Sequence, residues 1–323
     1  TDGAWRGVPA RDLVIYELHV GTFSPEGTYD GIQTRLDHLA ALGVTAIELM
    51  PLAAFPGSRG WGYDGVFHFA PFAGYGPPDR LQALVDACHA RGLAVILDVV
   101  TNHFGPEGNA MWALAPAFFR PDRPTAWSSG LAWEAEPVLA YFDELCTYWA
   151  TTYHLDGIRF DAFHAIPQAT RRVHLGRILA ALQHALPADR HFFVLLESLG
   201  NEASLLASPS EHLRVAQLNF DWQRTHHALI TGEGHGEYSD FPDPAEAVAR
   251  SLGEGFALQG QWSPAYRCTR GEPGAAAPHW SAVANYVQNH DTIGNRRRGQ
   301  RLDALGAPEA TQAVTALLLL HPG

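Results

Sequence analysis

The stretch LAVILDVV, residues 93–100, decides the fold class of this chain. Every residue in it except one aspartate is apolar, and several are β-branched. A run of this kind is typical of a strand that is covered on both faces, as the strands of a parallel sheet are. Parallel neighbours need a crossover connection, which is usually a helix. The run therefore predicts helices before and after it.

Strand-like and helical segments alternate on both sides of this run. The strand-like segments are residues 12–20, 44–52, 93–100, 158–163, 191–198, 213–221 and 281–290. Apolar side chains at helical spacing predict helices over residues 30–43, 79–92, 137–153, 171–186 and 308–320. This alternation implies right-handed βαβ units around a parallel sheet.

Seven strands favour a (β/α)8 TIM barrel over a doubly wound sheet. The count is one strand short, and the chain stops at LLLLHPG, where the eighth strand would begin. We therefore expect one catalytic α/β domain over residues 1–323, a barrel that lacks its eighth strand. Two excursions interrupt the pattern, at residues 101–136 after the third strand and at about 231–278 after the sixth. Both leave the carboxyl ends of strands, where barrel active sites are built.

Composition limits the classes of partner. The net charge of −12 argues against nucleic acid and against anionic membrane surfaces. Three cysteines give no disulfide framework. Neither a signal peptide nor an apolar run long enough to span a membrane is visible, so we expect a cytoplasmic location. The sequence makes no prediction of the oligomeric state.

Polar and ionisable side chains stand near the predicted carboxyl ends of four strands. They are Asp98, Asn102 and His103 at the third strand, Arg159 and Asp161 at the fourth, Glu197 at the fifth, and His290 and Asp291 at the seventh. In a barrel these strand ends meet at one mouth. Any one of these ions alone could be a salt bridge or a loop cap. Converging carboxylates repel each other, however, and a structure without a task would seldom keep them.

This set of side chains suits glycoside cleavage, which needs one carboxylate to attack and one carboxylic acid to protonate the leaving oxygen. Arg159 and Asp161 share a strand face, so we expect the arginine to lower the pKa of Asp161 and keep this nucleophile ionised. Glu197 follows an apolar strand near other carboxylates, so we expect a raised pKa, as a general acid requires. Asp291 could stabilise positive charge in the transition state. The chemistry needs no metal and no cofactor.

Four segments carry a resemblance to a known family. In order, DVVTNHFGPEGN, DGIRFDAFHA, FVLLESLGNE and VQNHDTIGNR resemble the four signature regions of the α-amylase superfamily, glycoside hydrolase family 13. The resemblance spans nearly the whole chain and implies a retaining enzyme that acts on α-glucans. It also implies flanking β-sandwich domains, which this sequence does not contain.

The resemblance also implies a role for each residue of the site. Asp161 would be the nucleophile, Glu197 the acid/base and Asp291 the stabiliser of the transition state. The residues implied to contact the sugar are His103, Arg159 and His290, together with Tyr63 of RGWGYDG, residues 59–65, as a stacking platform. Trp61, next to glycines in the same predicted mouth loop, is a further candidate for contact with the sugar. Asp98 would support Arg159 from behind, and we assign Asn102 the same kind of supporting role.

Within the superfamily, several segments favour one subfamily. IYELHVGTFSPEGTYDGI, PLAAFPGSRGWGYDGV and NHDTIGNRRRGQRL look most like the maltooligosyltrehalose trehalohydrolases. That family hydrolyses the α-1,4 bond next to a terminal trehalose unit, so the expected partner is maltooligosyltrehalose or another α-glucan. Two alternatives stay open. One is the glycogen branching enzyme, a transferase with a similar opening segment. The other is a non-catalytic glucan-binding relative, which would be expected to lack at least one of the three carboxylates.

Overall fold

The computed structural model describes residues 3–273 and 280–323. Within these ranges the strands are β1 (Ile15–Leu18), β2 (Ala46–Leu49), β3 (Ala53–Ala54), β4 (Phe67–Pro71), β5 (Ala94–Val100), β6 (Phe119–Pro124), β7 (Ser129–Leu131), β8 (Gly157–Asp161), β9 (Phe192–Leu196), β10 (Leu213–Leu218), β11 (Gln261–Ser263), β12 (Cys268–Arg270) and β13 (Val283–Ala284). The α-helices are α1 (Val20–Phe23), α2 (Tyr29–Gln33), α3 (Leu36–Ala41), α4 (Pro78–His89), α5 (Met111–Leu114), α6 (Glu136–Thr152), α7 (Gln168–Ala185), α8 (Phe220–Thr231), α9 (Pro244–Glu254), α10 (His290–Gly294) and α11 (Pro308–Leu320).

The chain divides into two compact units. Unit 1 comprises Thr1–Glu197 and Ser208–Arg214, and unit 2 comprises Ser198–Ala207 and Val215–Gly323. In unit 1 five parallel strands lie in the order β1-β2-β5-β8-β9, which is also their order along the chain. Every residue of β5 is buried, as the uninterrupted apolar run predicts. The strand order is the one that repeated right-handed βα units produce.

Helices of unit 1 bury apolar faces in the way that their sequence spacing predicts. In α4 the buried residues include Leu81, Leu84, Val85 and Cys88, which recur at intervals of three and four. The helix starts with Pro78 at its first position, where the missing N–H costs no hydrogen bond. Each fully buried leucine or valine contributes about 1.5–3 kcal/mol relative to its exposed form.

A buried aspartate, Asp156, binds the amino-terminal segment of unit 1. Asp156 Oδ1 accepts hydrogen bonds from Trp5 Nε1 at 2.7 Å and Arg190 Nη2 at 3.0 Å. Its Oδ2 accepts from the backbone N–H of Val95 at 2.9 Å and lies 2.8 Å from His89 Nε2. The Trp5 ring stacks on the His89 ring with 4.5 Å between centroids. One carboxylate thus joins the segment before β1 to the starts of β5 and β8.

In unit 2 the parallel pair β10 and β13 is short, with Gln217 opposite Val283 and Leu218 opposite Ala284. Glu233, just after α8, binds Arg296 through both carboxylate oxygens, at 3.0 and 2.6 Å, and lies 2.8 Å from His227 Nε2. This contact joins the beginning of the second excursion to the loop after α10.

The predicted excursions contain elements of their own. Residues 101–136 include α5, β6 and β7, and the described part of residues 231–278 includes α9, β11 and β12. Residues 274–278 of the second excursion lie outside the described residues. The prediction of one catalytic domain over residues 1–323 stays a prediction. Among the residues the structure describes, no helix combines the length and apolarity needed to cross a bilayer.

Several predicted boundaries were wrong. The first strand, predicted over residues 12–20, is limited to β1, and Val20, the last residue of the predicted strand, begins α1. The helix predicted over residues 30–43 is two helices, α2 and α3, separated at Thr34 and Arg35. The predicted sixth strand stops at Leu218, after which Asn219 caps α8 through its side chain. In each case a capping or turn residue ends the element before the apolar pattern does.

Two errors concern the predicted site. The fourth strand ends at Asp161 instead of Phe163, because Ala162 has a left-handed φ of 40° and starts a turn. The seventh strand, predicted over residues 281–290, is only β13, and His290 lies at the start of α10. Seven strands of the series, β1, β2, β5, β8, β9, β10 and β13, still alternate with helices along the chain, and within the described residues no eighth follows α11.

Candidate active site

The site in unit 1 is built around Arg159 of β8. Its side chain is 1% exposed, and in the strand register it lies opposite Asp98 of β5. β8 starts at Gly157, where a Cβ atom would come within 2.6 Å of the carbonyl oxygen of Phe193 in β9. The glycine therefore permits the close strand spacing that buries the arginine. Because the residues of a strand alternate between faces, Asp161 follows Arg159 on the same face.

One end of the Arg159 guanidinium binds Asp98 and Tyr63. Nη1 donates to Asp98 Oδ2 and lies 3.3 Å from the Tyr63 hydroxyl, which itself donates to Asp98 Oδ2 at 2.6 Å. Tyr63 is buried and packs with Met50 and Val100. The preceding Gly62 has a φ of 97°, and a Cβ there would lie 2.3 Å from the carbonyl oxygen of Pro51. Gly62 therefore allows the turn that brings Tyr63 into the interior.

The other end of Arg159 meets two glutamates. Nη2 lies 2.9 Å from Glu197 Oε2, and Nε lies 3.6 Å from Glu48 Oε1. Glu48 lies in β2 and is 5% exposed. Sequence reasoning did not identify Glu48, although a lone glutamate within the apolar segment VTAIELMPL was a usable signal. The contact of Arg159 with Glu197 was also not anticipated, since the arginine was assigned to Asp161.

Glu197 is held by the turn that follows β8. The backbone N–H of Ala162 donates to Glu197 Oε2 at 2.8 Å, and the N–H of Phe163 donates to the Glu197 carbonyl at 2.8 Å. The left-handed conformation of Ala162 places these two N–H groups in succession toward the end of β9. Non-glycine residues adopt this conformation at a cost, and such positions cluster at functional sites.

Asp161 is held by Asn102, which follows β5. The Asn102 amide donates to Asp161 Oδ2 at 2.7 Å and to the Asp161 carbonyl at 2.8 Å. The carbonyl oxygen of the same amide lies 2.5 Å from His103 Nδ1, and His103 Nε2 lies 2.8 Å from the Tyr63 carbonyl oxygen. The Trp127 ring stacks on the His103 ring, at 4.8 Å and 6°. Trp127 therefore lies beside a predicted sugar contact.

These contacts close into a ring, which we call the Arg159–Asn102 ring. Its members, in order, are Tyr63, Asp98, Arg159, Glu197, the Ala162 N–H, Asp161, Asn102 and His103, which returns to Tyr63. Seven of the ten predicted site residues are therefore brought together in unit 1. A ring of this kind fixes each polar group by two neighbours, which is the preorganisation that electrostatic catalysis requires.

The electrostatics of the ring follow from burial and charge. Burial raises the pKa of Asp98 well above its ordinary value; Arg159 opposes this, while Asp161 and Glu197 add to it. Burial alone would lower the pKa of Arg159, but its acidic neighbours, Asp98 first, hold it well above the ordinary range. Burial lowers the pKa of His103, against the opposing hydrogen bond to the Tyr63 carbonyl. The arginine therefore stays charged among several carboxylates.

The ring as defined does not include the other three predicted residues, Trp61, His290 and Asp291. Trp61 is at the surface of unit 1, with 38% of its area exposed. His290 and Asp291 occupy the first turn of α10 in unit 2, a helix that Asn289 caps by accepting from the Thr292 N–H at 3.0 Å. Asn295 donates to Asp291 Oδ1 at 3.1 Å. The aspartate is thus held within its own helix, at a helix start where a carboxylate is favoured.

Comparisons with known proteins identify relatives of this chain. The family model of the α-amylase catalytic domain matches residues 4–113. A malto-oligosyltrehalose trehalohydrolase from Arthrobacter ramosus is 40% identical over 99% of this chain and 56% of its own length. A 1,4-α-glucan branching enzyme from Vibrio parahaemolyticus is 36% identical, over 46% of this chain and 22% of its own length. The chain spans about half the length of the trehalohydrolase.

A solved structure extends the likeness to the fold. A crystal structure described as that of an α-amylase from Salmonella typhimurium is 43% identical, with a TM-score of 0.95, over 100% of this chain and 56% of its own chain. The predicted fold class, an α/β barrel of the TIM type, is therefore confirmed. The similarity includes the β5, β8 and β9 segments that supply the Arg159–Asn102 ring. Over its whole length the chain thus resembles the α-amylase family, whose catalytic-domain model matches residues 4–113.

Proposed function

We propose that this chain is the catalytic part of a retaining α-glucan hydrolase that cleaves the α-1,4 bond next to the terminal trehalose of maltooligosyltrehalose and releases trehalose. The observation that supports this most is that one ring of contacts holds both carboxyl groups: the Ala162 N–H donates to Glu197, and the Asn102 amide donates to Asp161. It occurs in a chain that is similar over nearly its whole length to a trehalohydrolase. The proposed partner is therefore an α-glucan that ends in trehalose.

In the first proposed step, Asp161 attacks the anomeric carbon and the bond from that carbon to the leaving oxygen breaks. Glu197 gives its proton to the leaving oxygen, so trehalose departs neutral. The Asn102 amide orients Asp161 for attack by holding both its side chain and its backbone. The product of this step is a covalent glycosyl ester on Asp161.

In the second step, Glu197 takes a proton from water, and the water oxygen replaces Asp161 at the anomeric carbon. Two displacements at one carbon return the original configuration, which makes the enzyme retaining. Asp291 would stabilise positive charge in both transition states. The residues proposed to contact the sugar are His103, Arg159, His290, Tyr63 and Trp61.

The experiment that tests this function compares two substrates. We expect maltooligosyltrehalose to release trehalose faster than amylose of equal chain length is cut. Asp161→Asn should abolish turnover and leave the far-UV circular dichroism unchanged. Equal rates on both substrates would contradict the proposed trehalose specificity. Wild-type turnover by Asp161→Asn would contradict the assignment of Asp161 as nucleophile.

The second candidate function is transfer, as in a branching enzyme, because hydrolysis and transfer share the covalent intermediate. The likeness to the Vibrio enzyme favours it over less than half of this chain. New α-1,6 branches formed from amylose would support it in place of hydrolysis. A glucan-binding protein without activity would bind maltooligosyltrehalose and release no trehalose. The cytoplasmic location stays a prediction.

A further inference from the structure

The Arg159–Asn102 ring poses a problem for a general acid. Arg159 lies 2.9 Å from Glu197 Oε2, and the Ala162 N–H donates to the same oxygen at 2.8 Å. Both neighbours favour the ionised carboxylate. A residue that must carry a proton when substrate binds needs the opposite influence. Besides the burial of Glu197, a negative charge beside the arginine would offset its influence.

Glu48 is placed to supply that charge. Nε and Nη2 form one edge of the planar guanidinium, and that edge faces Glu48 through Nε and Glu197 through Nη2. The two glutamates therefore share one edge of one cation. Asp98 occupies Nη1. Because Glu48 is buried in the middle of β2, water screens its charge little.

We propose that Glu48 is a positioning residue for the general acid: it holds the Nε–Nη2 edge of Arg159 and offsets the charge that this edge presents to Glu197. This inference rests on the proposed role of Glu197. Asp98, at the other end of Arg159, interacts electrostatically with both Asp161 and Glu197, and His164 Nδ1 lies 3.5 Å from the Glu197 carbonyl. Of the carboxylates bound to Arg159, only Glu48 shares the Glu197 edge among the described contacts.

The test compares pH profiles of kcat/KM, whose alkaline limb reports loss of the proton from the acid in the free enzyme. Glu48→Gln keeps the shape of the side chain and removes the charge. We expect its alkaline limb to move to lower pH by about one unit, because removing a like charge lowers the pKa of its neighbour. An unchanged limb overturns the proposal.

A matched control tests whether the shift depends on the edge of Arg159 that Glu48 shares or only on the net charge of the protein. Glu17 of β1 lies opposite Glu48 in the strand register, one strand farther from Arg159. Glu17→Gln should move the alkaline limb by less than half as much. An equal shift would mean that net charge alone moves the profile, which overturns the positioning role.

A second substrate tests whether the effect passes through the acid. The fluoride of an α-glycosyl fluoride departs with little proton donation, so on this substrate we expect Glu48→Gln and wild type to coincide at alkaline pH. A persistent difference overturns the proposal. If Glu48→Gln does not fold, Glu48→Asp replaces it. The shorter side chain moves the carboxylate away from Arg159, so the alkaline limb should shift less, in the same direction. An unshifted limb in this variant overturns the proposal.

The profiles are measured with the full-length polypeptide on whichever of maltooligosyltrehalose or amylose the wild type cleaves. If the wild type cleaves neither substrate, the proposed function and this inference are both overturned. Cleavage of either one with an unshifted Glu48→Gln profile overturns the inference alone.

Discussion

Asn102 binds Asp161 twice, through the carboxylate at 2.7 Å and through the backbone carbonyl at 2.8 Å. One side chain therefore fixes both the position of the proposed nucleophile and its orientation. Asn102 in turn contacts His103, so the fixed geometry extends to a proposed sugar contact.

Asn102→Ala should lower kcat by about 10- to 100-fold, because displacement of a reacting group by about 1 Å can cost that much. KM should change less than threefold, since the substrate-binding surface is retained. Steady-state kinetics on maltooligosyltrehalose measures both. A KM effect as large as the kcat effect would indicate that Asn102 acts in binding instead.

Tyr63→Phe should lower kcat/KM by about 10-fold or more. The change removes the hydroxyl that donates to Asp98 at 2.6 Å and keeps the buried ring. A hydrogen bond to a charged group contributes about 1.5–3 kcal/mol, and its loss loosens the support of Arg159. Tyr63→Leu, which also removes the ring, is the comparison. If the two variants lose the same activity, the ring contributes nothing as a platform.

Asp156→Ala should reduce the free energy of unfolding by about 3–5 kcal/mol, because it leaves His89, Arg190 and Trp5 without their buried acceptor. Urea unfolding measures this. Asp189→Ala is the matched control. It removes the 2.7 Å pair with Arg6, in which both side chains are about half exposed or more, and should cost less than about 1 kcal/mol. Equal losses would mean that burial does not decide the effect.

Acid stability should depend on Glu233. Its hydrogen bonds with Arg296, and secondarily with His227, lower the pKa of Glu233 from 4.5 to about 2. A carboxyl group whose pKa is lower in the folded state contributes stability above its unfolded pKa and loses it as the pH falls through the folded pKa. The difference in unfolding free energy between wild type and Glu233→Gln should therefore shrink between about pH 4.5 and 2.

The control for this measurement is Glu254→Gln, at an exposed pair in which Arg250 lies 4.0 Å away. Its unfolding free energy should stay within about 0.5 kcal/mol of wild type at each pH. A Glu233→Gln curve parallel to wild type over the acid range would contradict the linkage.

The sequence predicts the strand series well, because burial on two faces leaves a pattern that only a parallel sheet produces. The β5 run and the α4 spacing are examples. It predicts ends poorly, because a single capping side chain or a left-handed residue ends an element without changing hydrophobicity. Ala162 shows this best: no sequence signal marks an alanine with a φ of 40°.

Site membership was predicted by position, whereas of the contacts of Arg159 only the one with Asp98 was expected. Residues at strand ends, such as Asp98 and Asn102, could be grouped because parallel strands end together. The choice of Glu197 and Glu48 as partners of Arg159 depends on how a long side chain crosses between strands, which residue spacing does not encode. Glu48 was missed because a lone glutamate in an apolar strand was not interpreted as a site residue.

The peptide unit between Asp161 and Ala162 has a consequence for the stereochemistry of the reaction. Its carbonyl accepts from Asn102, and its N–H donates to Glu197. This peptide cannot flip without breaking both bonds, so the main chain helps to fix the gap between the two proposed catalytic carboxyl groups. Retaining and inverting glycosidases differ in that gap by several ångströms. In this chain an evolutionary or engineered change of outcome would therefore have to act on this turn as well as on the two side chains.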